Sequence, residues 1–447
     1  MGGWVRKLGV CVPLLLVVVL AMTSTPAAVG STPADGGPWE ANITNFLEGQ
    51  DGEPSVAINP TDPNNVIVTY METGGAAGAL VYQQRTPRIY DEVVQTVQSC
   101  RYVVTHDGGK TWRMKLVTTP DIVMPNCSDT YVIFDKHGTA YIMAGNFNVA
   151  FPLLDEVRVV SSVDGGETWS APGIAVRNTS NPGAGLLKDV QDTSIKEYID
   201  RYWLTIDDST GTLFITSVQT WLQPGVTSPR IGPITSSHDG GKTWSEPTLV
   251  APVGSPHLGA AFGKVAVVWR DSGCTCVVFA LSSDDAKTFT NKNTPFDSES
   301  SPQVVADPTR PGRFAVMTME GTKVISRITS DSGATWSGPT TISQPGDATK
   351  FKPWMSYSRG GALGAGWRSG YADGTYDFWA AASTDGGVTW QPTRRLSTAR
   401  SLAQHPIWVG GDDTSDVQFG PDDTLYAAWG DWRTGDLEIF WAGFPTR

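Results

Sequence analysis

The chain has 447 residues, with 33 Lys and Arg against 45 Asp and Glu, for a formal net charge of −12. That balance argues against a nucleic-acid binder, which needs a basic patch to neutralise phosphates, and a 40% hydrophobic share with only 17% charged residues argues against disorder. The 48 Gly, 30 Pro and 17 Trp point to many short strands joined by turns, and away from helical bundles and doubly wound sheets.

In chain order, Arg6 and Lys7 precede an apolar run from Leu8 to Met22, and small residues follow around Ala27–Gly30. This is the order of a secretory signal peptide, with an apolar run short of the roughly 20 residues a membrane span needs. Residues 1–30 are therefore read as a signal and 31–38 as a flexible linker. The mature chain is expected to be secreted, monomeric and free of the membrane after cleavage. Cys100, Cys127, Cys274 and Cys276 remain, an even number that suggests disulfides with three connectivities open. Cys274-Thr-Cys276 is too tight for a zinc knuckle.

From residue 105 onward one spacing recurs six times: Thr105–Trp112, Ser162–Trp169, Ser237–Trp244, Ser282–Phe289, Thr329–Trp336 and Ser383–Trp390. Each copy places an aspartate third, at Asp107, Asp164, Asp239, Asp284, Asp331 and Asp385, and all but the degenerate fourth keep a glycine fifth. Asp and Ser/Thr side chains can satisfy the backbone of their own turn, glycine supplies a positive φ, and the closing aromatic can wedge between sheets. These aspartates are read as structural. Repeats of this period mean an array of similar units.

The spacing resembles the Asp-box of the sialidase-like (BNR-repeat) propellers, and the resemblance spans nearly all of the mature chain. It implies a β-propeller of four-stranded antiparallel blades over residues 39–447. Seven alternating apolar strand pairs, beginning at Ser55–Tyr70 and ending at Val417–Trp429, interleave with the boxes. We read these as strands A and B, the box as the C–D turn, and Trp39–Leu47 as the strand that completes the last blade. Seven blades are thus favoured, with six, the number in catalytic sialidase propellers, as the alternative.

In such a blade the A–B and C–D turns share one face, so ligand chemistry is sought in the B–C and D–A loops. The ends of the B strands bring Glu72, Trp221, Arg270, Glu320, Arg368, Asp431 and Arg433. The D–A loops add Asp129, Lys196, Arg201, His257, Lys352 and His405. Guanidinium forks suit a carboxylate, so Arg270, Arg368 and Arg433, with Glu72 and Trp221, are candidate substrate contacts for an acidic glycan. By resemblance, a tyrosine nucleophile, an activating glutamate and an aspartate acid/base are implied, and Tyr371, Glu320 and Asp431 (or Asp129) are the candidates. The family's Phe/Tyr-Arg-Ile-Pro motif is absent; Pro87-Arg-Ile-Tyr90 is not it. The leading function is an exo-α-sialidase-type glycoside hydrolase on terminal acidic sugars. Alternatives are a non-catalytic glycan- or protein-binding propeller, and a uronate lyase using His257 or His405 with Tyr371. No cofactor and no metal motif is expected, although the Asp-rich turn Gly410–Asp416 offers oxygen ligands of a kind that suits Ca²⁺.

Overall fold

The computed structural model describes residues 38–44, 49–74, 99–119, 128–146, 156–177, 196–222, 230–251, 255–271, 273–346, 348–402 and 414–447. The leader, Cys127, His405 and residues 410–413 of the Asp-rich turn lie outside them.

Seven antiparallel sheets form a ring of blades, and the structure is all-β. Six blades take four consecutive strands each, blade six adding a two-residue strand at Ser401–Leu402; blade one, for example, runs Gly49–Ile58, Val66–Gly74, Ser99–Thr105 and Arg113–Leu116. The seventh joins Ser415–Phe419, Thr424–Asp431 and Glu438–Pro445 to Trp39–Asn42 as its outer strand. The chain thus closes the ring with a strand from its other end, as the unpaired N-terminal segment predicts, and seven blades, not six, are present.

The boxes are the C–D turns, and their chemistry is local. In the first, Thr105 Oγ1 donates to Asp107 (2.8 Å) and accepts from the Gly109 amide (3.0 Å). The Asp107 carboxylate in turn takes the Thr111 amide (2.9 Å) and hydroxyl (2.6 Å). The same bonds recur around Asp164, Asp239, Asp284, Asp331 and Asp385. Hydroxyl bonds from Thr243, Thr288 and Thr335 hold the carboxyls of Asp239, Asp284 and Asp331 down at about 2. The degenerate fourth box keeps the turn because Ala286 adopts φ +61°.

Middle strands are buried on both sides because each blade packs against two neighbours. All eight residues of Thr424–Asp431 are buried. Trp269, Trp367 and Trp429, on the B strands of blades four, six and seven, are fully buried between sheets. Box residues Trp112 and Trp169 are buried as well, at 3% and 5% exposed. These five tryptophans pack between neighbouring blades.

Candidate functional site

The A strands line the central channel, and ladder registers put seven of their residues at one level: Ser55, Tyr131, Trp203, His257, Gln303, Trp354 and Asp416. The four rings among them meet across the axis. Trp203 stacks on His257 (centroids 4.1 Å) and reaches Trp354 (4.9 Å) from the far side of the ring, and Tyr131 lies 6.0 Å from Trp354. Together they form a septum. Burial holds the His257 imidazole down at about 3, so it is neutral.

On the Asp-box side of the septum the A–B turns enclose a cavity of about 580 Å³. Arg359 of blade six spans it, donating to Asp208 of blade three (2.9 Å) and to the Phe134 carbonyl of blade two (2.8 Å). These turns share a face with the boxes, as the bond from the Gly108 amide to the Asn64 carbonyl (3.0 Å) shows.

The other side of the septum is built differently. Strand A carries a bulge in blades one, two, three and six, between Gly52 and Ser55, Ser128 and Tyr131, Asp200 and Trp203, and Phe351 and Trp354. In each, the residue two before the septum lies in the left-handed region: Glu53 (φ 55°), Asp129 (46°), Arg201 (52°) and Lys352 (49°). A non-glycine residue there costs on the order of 1–2 kcal/mol, and such strain persists where the surroundings over-determine it, commonly at functional sites. Bulges re-aim side chains. The repeat therefore sets two acids and two cations around the channel on the face away from the boxes. The Arg201 amide donates to the Asp129 carboxylate (3.0 Å), and Ser415 donates to the Lys352 carbonyl (3.1 Å), tying neighbouring blades together. Sequence reading found Asp129, Arg201 and Lys352 but missed Glu53. The three were found as charges in D–A loops, whereas Glu53 stands just before the first strand pair, which was read from Ser55.

The other expected site residues are dispersed. Arg270 donates to the Ser298 carbonyl (2.7 Å) within blade four. Arg368, 2% exposed, packs on the Tyr376 ring (5.0 Å) and donates to the Thr414 carbonyl (3.1 Å) of blade seven. Arg433 grips Asp431 (2.6 Å) and Glu40 (2.8 Å). Asp431 is fully buried and also takes the Trp429 indole N–H (3.0 Å). Glu320 pairs with Arg327 (2.8 Å). Tyr371 donates to Asp377 (2.8 Å), and the Arg400 guanidinium lies 3.8 Å over its ring. Burial first, then the Asp377 carboxylate, raise the Tyr371 hydroxyl above its usual value.

Strand alternation separates two of these groups. Asp377 pairs with Ser369, which meets Gln344 of blade five (3.0 Å), whereas Arg368 pairs with Phe378, which stacks on Trp429 of blade seven. The Tyr371–Asp377 pair and Arg368 thus belong to opposite faces of blade six. Glu72, Trp221 and Lys196 have described backbone in A or B strands, but their side chains lie outside the described residues. Cys274 is bonded to Cys276; Cys100 is also disulfide-bonded.

Asp416 completes the septum level where blade seven meets blade one. Its carboxyl accepts the Val56 amide and the Ser55 hydroxyl, each at 2.9 Å. Complete burial nevertheless pushes it up to about 7 from an ordinary 3.8. The native state therefore binds a proton that the unfolded chain has released, and this group's contribution to stability falls between about pH 4 and 7 and is level above. Asp416→Asn is expected to remove that decline and so to raise stability more at pH 8 than at pH 5, read from urea midpoints. Equal shifts at both pH values would rule the linkage out.

No protein-family model matches the chain, and no curated protein does. Among solved structures it is similar to a protein of unknown function from Dyadobacter fermentans, with a TM-score of 0.50 at 12% identity, covering 91% of this chain and 98% of that one. It is also similar to a Hadza microbial sialidase (TM-score 0.48, 16% identity, 94% and 95% covered). The NanB sialidase of Streptococcus pneumoniae gives 0.44 at 10% identity, with 91% and 97% covered. At these identities the likeness is one of fold. With six boxes formed and the ring closed, the fold is a seven-bladed β-propeller.

Proposed function

We propose that the protein is a secreted glycoside hydrolase of the sialidase type, acting as a monomer on terminal acidic sugars at the channel mouth opposite the boxes. The observation that carries this reading is the set of four strained, charged bulge residues, Glu53, Asp129, Arg201 and Lys352. Most glycoside hydrolases cleave with a pair of carboxyl groups, sialidases with their tyrosine nucleophile being an exception, and the bulge residues offer the carboxyl pair. Asp129, whose carboxylate holds the Arg201 amide, is the general acid for the leaving oxygen. Glu53, from the adjoining blade, is the second carboxyl. Arg201 and Lys352 face the sugar carboxylate, with Arg368 behind them on the strand that pairs with the Lys352 strand.

The test is release of fluorophore from an α-sialoside by the purified chain. Silence, with no unsaturated product from uronate polysaccharides either, would sink the hydrolase reading and leave a glycan-binding propeller. Tyr371→Phe decides the tyrosine-nucleophile route. Because the Tyr371 hydroxyl is committed to Asp377 on the blade-five face, kcat is expected to fall less than threefold, and a loss above about 100-fold would restore Tyr371 as the nucleophile.

A further inference from the structure

The Cys274–Cys276 disulfide does little that the turn around it does not already do. It bridges a single residue, Thr275, between strands Lys264–Arg270 and Cys276–Ser282 of blade four. That hairpin is already closed by the ladder pair Arg270–Val277 and by the bond from the Asp271 amide to the Cys276 carbonyl (2.9 Å). The Asp271 carboxylate also takes the amides of Gly273 (2.7 Å) and Cys274 (3.3 Å). The stabilisation a disulfide brings by restricting the unfolded chain grows with the loop it closes, and this loop is about as short as one can be. Stability is a poor account of the bridge.

Two further observations concern its reactivity. Cys274 and Thr275 are exposed on the turn, while Cys276 is buried beneath. Thr275 has φ +56°, a conformation that a β-branched residue rarely adopts and that the closed bridge holds in place. Exposed, strained bridges are the labile ones, and access controls the rate of attack on them. The chain carries its own contrast, because disulfide-bonded Cys100 is fully buried.

We propose that Cys274–Cys276 is an exchange-active disulfide that accepts two electrons from an external dithiol, in the turn that follows the strand ending at Arg270. A reagent thiolate attacks Cys274 Sγ, and the Cys276 thiolate leaves. The second thiolate of the reagent then attacks the reagent sulfur of the mixed disulfide and expels the Cys274 thiolate. The reagent ends as its own disulfide, and the two cysteines take up the two protons it lost. Reduction frees Thr275 to leave the left-handed region and loosens the turn between Asp271 and Cys276. The proposal does not depend on the hydrolase reading.

The native full-length chain would be exposed to dithiothreitol, quenched at intervals with iodoacetamide and mapped by peptide mass spectrometry. Cys274 and Cys276 are expected to be labelled at least tenfold faster than Cys100. Labelling at equal rates, or only after denaturant is added, overturns the proposal. Thr275→Gly should shift the exchange equilibrium about tenfold towards the disulfide, because glycine adopts the turn without strain; an unchanged equilibrium removes the role given to Thr275. The double variant Cys274→Ser, Cys276→Ser should keep the parent urea midpoint, and a large drop would make the bridge a structural staple instead.

Discussion

Asp129→Asn is expected to lower α-sialoside hydrolysis by about 10²–10⁴-fold, the usual contribution of a positioned general acid, while leaving the fold unchanged. The substitution isolates the proton. Asparagine tolerates φ 46° better than most residues, and its side-chain oxygen can still accept the Arg201 amide now bonded at 3.0 Å. Strain and the inter-blade bond survive; only the ionisable group is lost. Circular dichroism and the urea midpoint should match the parent, and KM should move much less than kcat. A variant with more than half the parent rate would remove Asp129 from the chemistry and turn attention to Glu53.

The second large effect is on stability. Trp441→Ala should cost about 3–5 kcal/mol, the range for emptying a buried tryptophan site. Trp441 is 3% exposed and stands where the ring closes. It stacks on Tyr426 (5.5 Å) within blade seven, meets Trp39 of the closing strand edge-on (4.2 Å), and reaches Trp112 of the first box (5.1 Å). Gly109 lies so close that an added Cβ would come within 2.3 Å of the ring. One truncation therefore loosens both attachments of the seam. Trp390, the box residue of blade six, is only partly buried, and Trp390→Ala should cost clearly less. Urea denaturation of both variants checks this, and equal losses would mean the seam is no more demanding than any other blade contact.

The part of the molecule legible from residues alone is the part made by short-range bonds. Every box closes on itself within one turn, as Ser383, Asp385 and Thr389 do, so a spacing pattern was enough to find it. Blade count came from the seven apolar strand pairs that interleave with the six boxes, and the lone segment at Trp39 had to pair somewhere. Of the site, three of the four bulge residues were visible as charges near strand starts. Glu53 was not, because it precedes the first strand pair, read from Ser55, and no D–A loop was assigned there.

Expectations about which side chains converge were the ones that needed the folded ring. Arg433 is committed to Glu40, 393 positions away, because the closing strand returns beside it. Arg368 and Tyr371 stand three apart, yet alternation along the strand and the hydrogen bond to Asp377 turn them towards different neighbours. The septum, the cavity strapped by Arg359 and the elevated carboxyl of Asp416 likewise arise from residues on separate blades. A repeat can write its own turn into a local pattern. What meets across the axis depends on how seven such units close on one another, and that is a matter of packing among residues far apart in the chain.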